Sequence, residues 1–328
     1  MASDNGNLTF DRPFPALTTA QRLHLELYGY VVIENVLSPD ECSAIRQASY
    51  RVRDELLTLD DRTKPGPHVG GAFFRTECPH HHHMTHIIEA DPTFTAYATH
   101  PRLVAAAEEL IGGEARIVET ITMINRRIPD SPEGANPDQA EPFRYRFHRG
   151  VDINFSCHSH GNLFHCSFVK TLTNLTDLGP DDGGTVVIAG SHKLDGPDAP
   201  IVEAAYQDPS MIHQVVAPAG STLLFSEALI HATGQNRSDR DRVIIVTGYA
   251  CTLYPYWAVD RSSPSRFLSD AFSASIPPHM HTLFHGRASH IRGARYRRLA
   301  DPVDDRIFAL GKWDDRRPVE RTTDEGLI

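Results

Sequence analysis

The stretch Asp177-Leu178-Gly179-Pro180-Asp181-Asp182-Gly183-Gly184 decides how the second half of the chain reads. Apart from Leu178 it consists of Gly, Pro and Asp, the residues that supply positive φ, a fixed φ and local side-chain caps in turns. Short runs of β-branched and apolar residues lie on either side, at 116–124, 164–175, 185–188, 214–217, 222–225 and 243–249. Several short strands separated by turn clusters predict an all-β sandwich or barrel core.

Before residue 114 the texture is helical. Thr18 or Thr19 can cap a helix with Ala20, Leu23 and Leu27 on one face and Gly29 at its end. Residues 30–33 read as a short buried strand, and Ser38-Pro39-Asp40-Glu41 is a capping box with proline at the first helical position. The helix it opens carries Cys42, Ile45, Ala48, Val52 and Leu56 at three- and four-residue steps. Residues 101–111 form another amphipathic helix, stopped by Gly112-Gly113. Residues 60–86 are expected to be loop, and the run His80-His81-His82-His83 a solvated part of it, because consecutive side chains on a loop do not converge on a metal.

At 328 residues the chain can bury a large core, and the reading is one domain: a helix-rich part to 113, the β core at 114–250, and a C-terminal extension from 251. The net charge of −10 argues against nucleic-acid polymers as partners. No run of apolar residues is long enough for a membrane span and the N-terminus carries no signal core, so a cytoplasmic location is expected. Cys42, Cys78, Cys157, Cys166 and Cys251 are odd in number and scattered, unlike a disulfide framework.

The chemistry centres on Phe147-His148-Arg149-Gly150 and Ile230-His231-Ala232-Thr233-Gly234. A histidine two residues before an acid, with a second histidine far downstream, spells the two-histidine, one-carboxylate triad of non-haem Fe(II) oxygenases. Here position 150 is glycine.

The chain from about Leu17 to Tyr249 resembles the phytanoyl-CoA dioxygenase-like family of Fe(II)/2-oxoglutarate enzymes. The ordered set that carries the likeness starts with Gly29-Tyr30-Val31-Val32-Ile33 and Leu37-Ser38-Pro39-Asp40-Glu41-Cys42, followed by Met123-Ile124-Asn125-Arg126 and Phe147-His148-Arg149-Gly150. It continues through Leu175-Thr176-Asp177, Asp182-Gly183-Gly184 and Gly190-Ser191-His192-Lys193 to His231-Ala232-Thr233-Gly234-Gln235-Asn236-Arg237-Ser238 and Arg242. The resemblance implies a mostly β fold with flanking helices around a double-stranded β-helix (jelly-roll, cupin-like) core. It implies His148 and His231 as iron ligands and Arg242, eleven residues beyond His231, as the partner of a 2-oxoglutarate carboxylate. Thr233 matches the hydroxyl that helps that contact, and Thr122 is a weaker candidate for touching the cosubstrate. His192 falls in a structural turn and is not expected to be a ligand.

A glycine at 150 opens a coordination place that a halide can fill, restoring the charge a carboxylate would bring. The His-x-Gly signature resembles that of 2-oxoglutarate-dependent halogenases of natural-product biosynthesis, which implies Fe(II), 2-oxoglutarate, O2 and chloride as cofactors and chlorination of an unactivated C–H bond. Three readings stand beside it. Asp152 supplies the carboxylate, or His158, His160 or His165 completes the site of a hydroxylase, or the protein is an inactive relative. The expected partner is a small molecule, with a lean towards a phosphorylated one such as a deoxyadenosine monophosphate-type nucleotide. Arg126, Arg144, Arg146 and Arg149 flank the first ligand, and Arg292, Arg295, Arg297 and Arg298 could form an anion clamp in a C-terminal lid. Pairing of Arg126 and Arg127 with nearby acids, and a solvated face for the C-terminal cluster, are the plainer alternatives.

Overall fold

The computed structural model describes residues 16–127, 143–151, 153–160, 163–251 and 268–285. The strands are β1 Tyr30–Ile33, β2 Phe73–Cys78, β3 His81–Thr85, β4 Ala115–Asn125, β5 Cys157–His160, β6 Leu163–Cys166, β7 Phe168–Asn174, β8 Val186–Ile188, β9 Ile212–Gln214, β10 Thr222–Ser226, β11 His231–Ala232 and β12 Arg242–Cys251. Seven form an antiparallel sheet in the order β1-β10-β7-β12-β4-β3-β2; β11-β8-β9 form a smaller sheet and β5-β6 a separate pair. The outcome is the mostly β fold with flanking helices that the sequence predicts.

The central strand shows why the apolar run 243–246 is continuous rather than alternating. Val243, Ile245 and Tyr249 face a core shared with the helices, while Ile244 and Val246 face a second core shared with Val187 and Val215 of the smaller sheet's side. A strand covered on both faces needs apolar residues at every position, each worth about 1.5–3 kcal/mol when fully buried.

The helices cover the outer face of the large sheet: α1 Thr19–Tyr28, α2 Pro39–Leu57, α3 Pro92–Ala98 and α4 Pro101–Ile111. Thr18 caps α1, which ends in left-handed Gly29 at φ 82°. Ser38 and Glu41 form the expected reciprocal box on α2, with the Ser38 N–H donating to Glu41 Oε2 at 2.8 Å. The helix α3 was not foreseen; its signal is Asp91-Pro92, a cap followed by proline at the first turn.

Residues 60–86 correct the loop expectation. Phe73–Cys78 and His81–Thr85 are strands that extend the sheet beyond β4. The four-histidine run hides a period of two: His82 and Met84 are buried towards the helices, while His81 and His83 point to the opposite face. Two further boundaries shift. The run 164–175 breaks at Ser167 into strands of two different sheets, and the strand expected at 214–217 is Ile212–Gln214, followed by a single bridge between Leu178 and Ala217. In the C-terminal part, Ile276, Leu283 and Phe284 join the helix-side core. Arg292, Arg295, Arg297 and Arg298 lie outside the described residues.

Candidate active site

Strand register builds the floor of a cavity of about 290 Å³ between the sheets. Residues paired across antiparallel strands share a face, so the floor is a set of rows. Lys170, Gly248 and Glu119 form the first; Leu172, Val246 and Ile121 the second; Ile244, Met123 and His83 the third; Arg242, Asn125 and His81 the last. The cavity is thus charged at both ends and apolar in the middle.

His148 and His231 stand on its wall. Their backbones form an isolated bridge, with His148 N–H donating to the His231 carbonyl at 3.0 Å and His231 N–H donating back at 2.9 Å. The ring centroids are 4.4 Å apart. His231 Nδ1 lies 2.8 Å from the Leu229 carbonyl and His148 Nδ1 3.1 Å from the Arg146 carbonyl. Because a carbonyl can only accept, each Nδ1 carries a proton, which in the neutral ring leaves the Nε2 lone pair for a metal. Burial pushes His231 down to about 4 against the opposing pull of Glu227, so the ring is neutral near pH 7.

Position 150 has a neighbour that sequence reading missed. A Cβ built on Gly150 would lie 1.7 Å from Glu227 Oε2. The Gly150 N–H also donates to the Glu227 backbone carbonyl at 2.8 Å. Glu227 is 2% exposed, and its Oε1 lies 3.1 Å from Lys170 Nζ and 3.8 Å from His231 Nε2. Lys170 also reaches Glu119 Oε2 at 3.0 Å. Both contacts are at ion-pair distance but lack hydrogen-bond alignment, since Glu227 Oε1 and Glu119 Oε2 have no hydrogen-bond partner. Burial raises the Glu227 carboxyl's pKa, yet Lys170, His231 and His148 together bring it below its ordinary value. Burial likewise opposes the Lys170 ammonium, and its two carboxylates outweigh that penalty. A lone acid in Leu224-Phe225-Ser226-Glu227-Ala228-Leu229-Ile230, and a lone Lys170 in β7, were the available signals, because unpaired charges are almost never buried.

At the other end, Arg242 opens β12 and is 1% exposed. One Nη donates to Thr185 Oγ1 at 2.9 Å, while Nε and the other Nη have no hydrogen-bond partner among the described residues. Burial pushes its pKa down to about 10, with no carboxylate to oppose the shift. A buried guanidinium without an internal anion fits a carboxylate-bearing cosubstrate. Thr233 and Thr185 line the same cavity; Thr185 was not foreseen. Thr122 points away from it, bonded to Ser49 and to the Ile244 carbonyl.

The other candidates sit elsewhere. His158 and His165 stack on the β5-β6 pair with centroids 5.5 Å apart, and His165 Nδ1 meets the Leu110 carbonyl. Asp152 and the His160 side chain lie outside the described residues. His192 is buried edge-on against Phe164 beneath Gly29, where a Cβ would come within 2.4 Å of its ring, consistent with a structural turn. Arg126 pairs with Asp241, Arg144 with Glu203, and Arg149 with Asp198 at 2.6 Å. Arg146 is exposed, and none of the four lines the cavity. Among the described residues, no three His, Cys, Asp or Glu side chains form a ready metal cage.

Known proteins resemble this chain in sequence and in fold. Residues 25–244 match the phytanoyl-CoA dioxygenase (PhyH) family profile. The chain is 25% identical over 224 residues to an uncharacterized protein of Mycobacterium tuberculosis, covering 67% of this chain and 71% of that one. It is 25% identical over 264 residues to the peroxisomal phytanoyl-CoA dioxygenase of Rattus norvegicus, covering 75% and 72%. Among solved structures, HygX from Streptomyces hygroscopicus with nickel, 2-oxoglutarate and hygromycin B bound superposes with a TM-score of 0.56 at 23% identity, over 74% of this chain and 90% of that one. EctD from S. alaskensis with 2-oxoglutarate and 5-hydroxyectoine gives 0.51 at 18%, over 74% and 80%. The match to the profile spans well over half the sequence, and the chain belongs to the phytanoyl-CoA dioxygenase family.

Proposed function

As a member of that family, we propose, this protein is an Fe(II)/2-oxoglutarate-dependent enzyme that chlorinates a C–H bond of a small molecule. The observation that carries the reading is Gly150, which leaves His148 without the carboxylate two residues on that the usual triad contains. His148 and His231 would hold the metal through Nε2, and Arg242 with Thr185 and Thr233 would hold the cosubstrate's carboxylate. Iron and 2-oxoglutarate together supply the oxidising power to take a hydrogen from an unactivated carbon with O2. The chain's own part is to keep His231 neutral, to anchor the dianion at one end, and to line the middle of the cavity with Ile121, Met123, Leu172, Ile244 and Val246 so that water is excluded. The uncompensated Arg242 supports an active enzyme over an inactive relative, since a protein without a cosubstrate gains nothing from burying that charge.

Glu227 favours a second reading, hydroxylation, in which its carboxylate takes the part of the missing acid. For the substrate, a nucleoside monophosphate remains the first candidate, but Arg126, Arg144 and Arg149 are already paired with acids and Arg146 does not line the cavity. The cations that line the cavity outside the cosubstrate end are Lys170 and Arg75, whose Nη1 is 4.0 Å from Glu119 Oε1. Anaerobic Fe(II) enzyme with 2-oxoglutarate and a panel of nucleotides and other small metabolites is exposed to O2 with and without chloride. Products carrying the two-isotope chlorine pattern support chlorination. A chloride-independent gain of one oxygen overturns it in favour of hydroxylation, and absence of iron binding overturns both.

A further inference from the structure

The usual acid is absent from position 150, yet the place its side chain would occupy is filled. Glu227 Oε2 lies 1.7 Å from where a Cβ on residue 150 would be, and the carboxyl carbon 2.8 Å from it. The carboxylate arrives from the segment leading into β11, four residues before His231, and not from the loop of His148. Two donors on one metal at about 2.1 Å are at most about 4.2 Å apart, and about 3.0 Å when adjacent around an octahedron. Glu227 Oε1 and His231 Nε2, at 3.8 Å, are within that limit and reach the adjacent spacing by a movement under about 1 Å.

Its surroundings hold it there. The Gly150 amide grips the Glu227 backbone, and Lys170 bridges Glu227 to Glu119 across Gly248. The bridge depends on Gly248 having no side chain, since a Cβ there would meet Glu119 Cβ at 3.0 Å and Phe168 at 2.8 Å.

We propose that Glu227 is the third metal donor, a carboxylate relocated from position 150 to the β11 side of the site, and that an external anion reaches the metal only by displacing it. The proposal rests on His148 and His231 holding the metal, and not on which group is transferred.

Co(II) binding to the full chain, read by its visible absorption, provides a test independent of turnover. Glu227→Gln keeps the shape and is expected to weaken Co(II) about tenfold or more. Glu227→Ala combined with Gly150→Asp, which returns the carboxylate to a place now cleared, is expected to recover most of that affinity. Unchanged affinity in Glu227→Gln overturns the proposal, as does a loss that the double variant does not recover. Where a variant fails to fold, the unmodified Co(II) protein still decides: azide or chloride leaves its spectrum unaltered at sub-millimolar concentration if Glu227 fills the place, and a spectral response there overturns it. His148→Ala and His231→Ala separate the two levels. If both bind Co(II) like the unmodified chain, the metal reading itself fails; if both lose it while Glu227→Gln does not, only the relocated donor fails.

Discussion

The two ends of the cavity treat a cation in opposite ways. Arg242 is buried with a single threonine hydroxyl as its hydrogen-bond partner among the described residues, so its charge is open to an outside anion. Lys170 is half-buried between two buried carboxylates, so its end is already negative within the protein. One end is therefore built to receive a ligand and the other to hold itself together. An anion entering the Lys170 end faces Glu119, whereas an anion entering the Arg242 end faces none of the protein's own carboxylates among the cavity-lining residues.

The largest effect is expected from Lys170→Met, which takes the cation from buried Glu227 and leaves Glu119 with Arg75 at 4.0 Å. Urea unfolding should report a loss of about 3–5 kcal/mol, largely restored when Glu119→Gln and Glu227→Gln are added. An undiminished stability would mean that the ion triad is not what holds that end.

Arg242→Met sharpens the contrast, because it removes a cation that has no internal partner. The ligand-free protein should unfold no more easily than the original, while 2-oxoglutarate binding followed by calorimetry weakens by about 2–5 kcal/mol. A fall in ligand-free stability comparable to that of Lys170→Met would erase the distinction between the ends.

Gly150→Ala places a methyl group on Glu227 and should cost about 1–3 kcal/mol by overpacking, seen in unfolding, and it should weaken metal binding more than 2-oxoglutarate binding. Equal losses for the two ligands would mean that the ends are not independent.

The smallest effect concerns the floor between them. Burial, the largest cause, pushes His83 down to about 3, with Arg75, His81 and Lys170 adding to it. Its folded pKa is depressed, so the unfolded chain binds the extra proton as pH falls below about 6.5, and stability drops with falling pH down to the folded value. His83→Leu should remove one proton from that slope, at most about 1.36 kcal/mol per pH unit, in unfolding measured between pH 6 and 4. An unchanged slope would show that His83 is protonated in the fold.

Much of this was legible beforehand, and the misses share a cause. Strands such as 243–249 and the cap at Ser38 announce themselves locally, and His231 with Arg242 eleven residues on is a spacing along one chain segment. Glu227 is different: its importance depends on Gly150, 77 residues earlier, and only the paired sheets bring the two together. Thr185 likewise matters only because β12 delivers Arg242 beside it. The histidine run at 80–83 was misread because residue type was weighed over alternation: as a strand it sends His81 and His83 to one face and His82 to the other.

The isolated bridge between His148 and His231 has a consequence for folding. The two histidines are 83 residues apart in sequence and are joined by two backbone hydrogen bonds, so few bonds offset the entropy of closing a long loop. An ion gripping both rings would act as a staple across that long loop. By mass action it adds about 2.7 kcal/mol to the closed state at a concentration one hundred times its dissociation constant. Protection of the His148 amide against hydrogen exchange would then track metal occupancy, which makes the bridge a gauge of how far the protein depends on its ligand to complete its own fold.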